Sequence, residues 1–255
     1  IDHTKDNRLK KLVLFEIGTY SLGLYAMNEL WYKDYPKSKF HFINDNSSWL
    51  QMDKMGHTAT SYYAGVNGIK LYKWSGLDHK KAIWIGGLSG TFYNTIIEVL
   101  DGFSSNWGAS TGDLFANSLG SFFAIYQQLL WDEQKMLLKF SYSRSKTSSN
   151  NLDLFGNSYF ERSLKDYNGQ TYWLSFSPKS IFKNSRLPEW FCFSIGYSAD
   201  KKIIGNSDYY MTSNETFIAK KEFLFSLDID FQKIPCKNKF LKFILNQLNY
   251  LKMPF

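Results

Sequence analysis

Apolar residues change rhythm along this chain near residue 135. Before that point the runs are long and read as helices. Leu12 to Tyr32 carries Leu14, Ile17, Tyr20, Leu22 and Tyr25, interrupted by Gly18 and Gly23. Asn46-Ser47-Ser48 opens a second helix, with Ser48 and Gln51 at capping-box spacing, and the pattern carries it past His57 to about Ala64. Ala82–Ile97 is sixteen uncharged residues and Leu114–Trp131 is eighteen more. Both sit at the threshold for a bilayer, which takes roughly 20 residues. Gly86 and Gly90 are four apart, as are Ala116 and Gly120, a spacing that lets helices approach closely. Asn117, Gln127 and Gln128 fit poorly against lipid, so the pattern favours a compact bundle, either free of the bilayer or partly embedded, over spanning helices.

After residue 135 the period becomes two. Leu138, Phe140 and Tyr142 alternate with Lys139 and Ser141, and Tyr172, Leu174 and Phe176 with Trp173 and Ser175. Phe191, Phe193, Ile195 and Tyr197 alternate with Cys192, Ser194 and Gly196. Phe223, Phe225, Leu227, Ile229 and Phe231 alternate with Leu224, Ser226, Asp228 and Asp230. Four strands with one aromatic face and one small or polar face predict an antiparallel sheet. Outer-membrane strands alternate in the same way, but four strands cannot close the usual barrel of about eight. Ser143–Asp153 reads as a polar surface loop. From Asn238 to Leu251, Phe240, Phe243, Ile244, Leu248 and Leu251 form one apolar stripe on a basic helix. The expected fold is therefore α+β: an N-terminal helical bundle over residues 1–135, then an antiparallel, aromatic-rich sheet half over 136–255 with a C-terminal amphipathic helix, packed as one unit.

Composition narrows the classes. The 255 residues are 44% hydrophobic and 21% charged, which excludes a disordered chain, while aromatics reach 18%. A mean hydropathy of −0.33 is too polar for a polytopic transporter. Net charge is +7, yet the basic residues fall in scattered pairs such as Lys80-Lys81 and Lys220-Lys221 rather than on one strip, so no nucleic-acid partner is expected. Two cysteines, Cys192 and Cys236, are too few for a disulfide framework, although a single bridge between them fits an oxidising compartment. The chain opens at Ile1 with no charged-then-apolar leader, which suits a signal peptide already removed or a trimmed chain.

Candidate chemistry lies on the helices. Asp53 and His57 are four apart in WLQMDKMGH, on one helical face, where a carboxylate can orient an imidazole for acid–base work. Glu98 and Asp101 close the next helix, and Asp113 and Asn117 open the one after. The candidate catalytic residues are thus His57, Asp53, Glu98 and Asp113. A polar cluster of Asp53, Lys54, His57, Glu98, Asp101, Asp113 and Asn117 is expected to converge, either as a catalytic site or as a hydrogen-bonded network fixing helix register. Four histidines without metal-ligand spacing give no metal expectation, and the absence of GxGxxG, Walker and GxSxG motifs removes nucleotide and ordinary serine-hydrolase chemistry. No cofactor is expected.

The strings FHFINDNSSWLQMDKMGH, IEVLDGFSSNWGASTGDLFANSLG, QQLLWDEQ and KDYNGQTYWLS resemble an uncharacterised bacterial family of predicted periplasmic lipoproteins, the YfiM-like group, over roughly residues 20–200. More distantly, Asp53-Lys54-x-x-His57, Glu98, and Asp113 with Asn117 and Gly120 are similar to the core of VanZ-like membrane proteins. The resemblance implies a Gram-negative envelope protein on the periplasmic side of the outer membrane, with no assigned reaction. Its aromatic-sheet version is similar to proteins from bacteria with type 9 secretion machinery, which implies a complex subunit. The chain has no N-terminal Cys, so a lipid anchor is not expected on it.

Two functions follow as expectations. In the first, a non-enzymatic envelope subunit docks on an outer-membrane complex or a lipid surface through Phe223, Phe225, Ile229, Phe240 and Phe243. In the second, an envelope hydrolase or transferase acts on a lipid or phosphate with His57 and the carboxylates.

Overall fold

Small residues at the crossing points decide how the N-terminal helices pack. A Cβ built on Gly86 would sit 2.4 Å from the backbone of Gly68 and Ile69, and one on Gly90 would meet the Ser61 carbonyl at 2.3 Å. Only glycine permits backbones to come this near. The helices concerned are α2 (Met52–Trp74) and α3 (His79–Gly102). They pack with α1 (His3–Met27), which ends in a π turn at Asn28–Tyr32, and with α4 (Thr111–Trp131). Asp78 caps α3 by accepting from the Lys81 N–H, Ser110 caps α4 by accepting from Asp113, and Asp132 at φ 53 ends α4.

The structure is a computed structural model that describes residues 3–33, 35–146, 155–156, 158–212 and 215–253. The chain forms two compact units, residues 1–46 with 60–132 and residues 47–59 with 133–255. The fold is α+β, with strands following the helices as the change of period predicts.

In the first unit a two-residue parallel pair, β1 (Phe42–Ile43) with β2 (Ala109–Ser110), adds strand where the sequence pattern gives only helix. It is too short to show a period. The second helix also departs from its expectation. Ser48–Gln51 is a 3-10 turn with Trp49, Leu50 and Gln51 all at positive φ, and α2 runs on to Trp74 rather than stopping near Ala64. The capping box does not form: the Ser48 hydroxyl donates to Asn206 instead, and the Trp49 N–H donates to the Gly205 carbonyl.

The second unit holds an antiparallel sheet of β3 (Met136–Tyr142), β4 (Gln170–Phe176), β5 (Phe191–Asp200) and β8 (Lys220–Ile229), in the order β3-β4-β5-β8. Between its strands lie α5 (Tyr159–Lys165), α6 (Pro178–Ile181) and the hairpin β6 (Tyr209–Met211) with β7 (Thr216–Ile218). The amphipathic stretch forms α7 (Lys239–Leu248), capped by Asn238. Beyond it, Phe140 exchanges hydrogen bonds with Tyr250 and Lys252, so Leu251 lies parallel to the β3 edge. The expected loop at Ser143–Asp153 falls largely outside the described residues; its start, 143–146, is irregular.

The faces of this sheet are reversed relative to an ordinary core. Ser175, Ser194 and Ser198 are buried on one face, together with Lys139 and Asp228, while Phe223 and Phe225 on the other face are 76% and 71% exposed. Small side chains on β4 and β5 leave room for Lys139 to reach across the curled sheet. Its ammonium donates to Asp228 at 2.9 Å and to the Ile229 carbonyl at 2.6 Å. Ser175 donates to the same carboxylate at 2.7 Å and lies 2.6 Å from Ser194.

Cys192 and Cys236 are both free thiols, which corrects the possible bridge. Burial above all, then the nearby Asp230 carboxylate, pushes the Cys192 thiol up to about 12. A thiolate is the reactive form, so Cys192 is expected to resist a thiol reagent in the native protein while half-exposed Cys236 reacts. Counting modified thiols before and after denaturation checks this.

Candidate functional site

The β1–β2 pair sets the first candidate site. It brings Asp45, just after β1, beside Ser110, which both ends β2 and caps α4. The Ser110 hydroxyl donates to Asp45 at 2.5 Å and accepts from the Asp113 N–H at 3.1 Å. The Ser110 N–H in turn donates to Glu98 near the end of α3, at 2.9 Å. A carboxylate oxygen of Asp113 lies within 4.8 Å of one on Glu98 and of one on Asp45. Three carboxylates thus gather around one serine, with Glu98 and Asp113 buried.

Burial drives the Glu98 carboxyl up to about 8, and the carboxylates of Asp113, Asp101 and Asp45 add to the rise, against the Ser110 N–H that lowers it. Such a group carries its proton at neutral pH. The raised value also couples to folding. Between 4.5 and about 8 the native state holds a proton that the unfolded chain has released, so this contribution to stability is complete at the acid end and lost as pH rises through about 8. Glu98→Gln is therefore expected to remove this loss, so that its melting temperature relative to wild type rises across that window. Parallel thermal unfolding of both proteins over pH checks it.

Other predicted residues of the first unit sit close by but do other work. Asp101 accepts from the Tyr32 hydroxyl at 2.7 Å. Asn117, one turn beyond Asp113, accepts from Ser61 at 3.4 Å, and Ser61 accepts from Asn94 at 2.8 Å, a buried network between α2, α3 and α4. Asp53, Lys54 and His57 belong to the second unit. Asp53 pairs with Lys54 at 3.0 Å, and half-buried His57 lies one turn further along α2. Glu98, Asp101, Asp113 and Asn117 lie in the first unit. Asp45 and Ser110 were missed by sequence reasoning; a serine three residues before Asp113, in a helix-capping position, was the available signal.

The second candidate is a surface. On β8 and β5, Phe225 stacks on Phe193 with ring centroids 5.7 Å apart, and Phe223 meets Tyr197 at 5.4 Å. The segment 47–59 covers only one end of this face: the Tyr197 hydroxyl donates to the Leu50 carbonyl, and the Tyr172 hydroxyl comes within 3.0 Å of the Cβ position of Gly56. Toward Phe225 and Leu227 the face is open. Ile229, predicted with them, is half-buried at the end of the strand. On α7, Phe240 and Phe243 are exposed beside Lys239, while Lys242 folds back to donate to the carbonyls of Gln232 and Ile234.

These features define an α+β protein with apolar side chains displayed outward and a buried carboxylate group. Residues 41–129, about a third of the chain, match a protein family described as "Predicted periplasmic lipoprotein (DUF2279)". The match is to an uncharacterised envelope family and includes Asp45, Glu98, Ser110 and Asp113. No curated protein and no solved structure matches the chain. Among the described residues, no helix is long and apolar enough to cross a membrane.

Proposed function

We propose that this chain is a non-catalytic subunit of a cell-envelope assembly, docked through the aromatic face of its sheet. The observation that carries the reading is the reversal of that sheet: serines and a charged pair are buried, and phenylalanines face outward. An aromatic patch of this kind is the usual mark of a partner surface. The family match supports a periplasmic setting. Within it, the periplasmic side of the outer membrane and an assembly of the type 9 secretion kind are the setting implied by resemblance. Placing a photo-crosslinking residue at Phe225 should capture an outer-membrane protein in intact cells. Phe223→Ser with Phe225→Ser should release the chain from that complex, whereas Glu98→Gln should not. A chain that crosslinks to nothing from position 225, or assembles equally well as the double variant, would sink the reading.

A second reading rests on Glu98. A carboxyl that holds its proton up to about 8, beside Asp113, suits a general acid for hydrolysis or transfer at an envelope lipid or phosphate ester. Turnover of such a substrate that disappears in Glu98→Gln while assembly persists would put this reading first.

A further inference from the structure

The first unit has a wall that its core does not explain. Its interior holds small and polar residues beside Tyr62, Ile69 and Ile83: Gly86, Gly90, Asn94, Asn117 and Ser121 are all buried, and Thr91 donates through its hydroxyl to the Asn117 carbonyl and through its N–H to the Ser121 hydroxyl. Its exterior is apolar. On α4, Phe115, Leu119, Phe122 and Tyr126 are exposed, and on α1, Leu14, Phe15 and Leu22 are. An open apolar groove of about 350 Å3 runs between α3 and α4, lined by Trp84, Leu119, Phe122 and Tyr126 among others. Among the described residues, no helix of this unit is long and apolar enough to cross a membrane.

One end of the same unit is both basic and tryptophan-rich. Trp74 ends α2, Trp84 lies in the second turn of α3 and Trp131 ends α4, all exposed. Lys80 and Lys81 open α3, and Arg8 stacks over the Trp74 ring at 5.6 Å. Asp132 pairs with Lys73 at this end, and Asp78 caps α3 there, leaving cations in excess. Tryptophan and lysine mixed at one level, above an apolar wall, is the arrangement that side chains adopt at a lipid headgroup layer.

We infer that the outward wall of α1, α3 and α4 contacts the acyl layer of an anionic membrane, with the Lys80–Trp84–Trp131 end at the level of the lipid phosphates. This stands apart from the docking of the sheet, which uses other residues in the other unit.

Flotation of the full chain with vesicles tests it, using phosphatidylcholine alone and phosphatidylcholine mixed equally with phosphatidylglycerol. The chain should rise with both and more completely with the anionic mixture. Leu119→Asp with Phe122→Asp, both on the exposed wall, should lower the bound fraction roughly tenfold, since a charge against acyl chains is costly. Lys80→Glu with Lys81→Glu should remove only the preference for anionic vesicles. Phe223→Ser with Phe225→Ser should float as wild type does. Circular dichroism confirms that each variant is folded. A folded wild-type chain that stays at the bottom of the gradient, or a folded Leu119→Asp, Phe122→Asp variant that floats normally, overturns the inference. Loss of flotation in the sheet variant would also overturn it, by moving the lipid contact to the sheet.

Discussion

Asp228→Ala is expected to cost about 3–5 kcal/mol of folding stability, the range for removing one member of a fully buried ion pair. Lys139 and Asp228 have no exposed side-chain surface, and their 2.9 Å contact sits at the centre of the buried sheet face. Without the carboxylate, Lys139 keeps the Ile229 carbonyl, but its charge has no counter-charge at that distance. Ser175 loses the acceptor it reaches at 2.7 Å. The double change Lys139→Met with Asp228→Leu should recover most of the loss, because an apolar pair of similar volume avoids desolvating two charges. Denaturant unfolding of the three proteins measures this. An Asp228→Ala protein within about 1 kcal/mol of wild type would mean that the sheet is not organised around the pair.

The second large effect is expected at the helix crossing. Gly86→Val places side-chain carbon against the backbone of Gly68 and Ile69, where even a single Cβ would lie 2.4 Å away. Backbone cannot yield as a flexible side chain does, so α2 and α3 must move apart and open the packing around buried Ile69 and Ile83. The expected cost is about 3 kcal/mol or more. Gly18→Ala on α1 is the matched control. Nothing lies within 4 Å of its Cβ position, so the substitution should raise stability by about 0.5–1 kcal/mol through helix propensity alone. Thermal unfolding of both variants decides whether helix contact or glycine content governs the result.

Much of this fold is written in periodicity, and what is not has identifiable causes. The strands at Met136–Tyr142, Gln170–Phe176, Phe191–Asp200 and Lys220–Ile229 follow from strict alternation. Alternation separates two faces without saying which is buried. Here that choice depends on Lys139 finding Asp228, a partner distant in sequence that only the curl of four strands brings near. Gly65 and Gly68 lie just past the expected end of α2 near Ala64, and in the structure they are contact points for Gly87 and Gly86. Ser48 and Gln51 have the spacing of a capping box, yet Asn206 takes the Ser48 hydroxyl and three positive φ angles follow. At the carboxylate group, Glu98 and Asp113 were legible as acids on apolar helices. Asp45 and Ser110 were not, because a two-residue parallel pair positions them and leaves no pattern.

The pairing of Phe140 with Tyr250 and Lys252 has a kinetic consequence. The β3 edge is completed by a segment more than a hundred positions later in the chain, and closing so large a loop carries an entropic barrier that local helix contacts such as α3 with α4 do not face. Helices should therefore organise early, while β3 waits with one row of amides and carbonyls open. During that interval another chain can supply the missing strand, so intermolecular edge pairing competes with maturation. Aggregation yield on refolding should accordingly climb with protein concentration, and a free peptide spanning Asn249–Met253 added in trans should suppress it by covering the edge first.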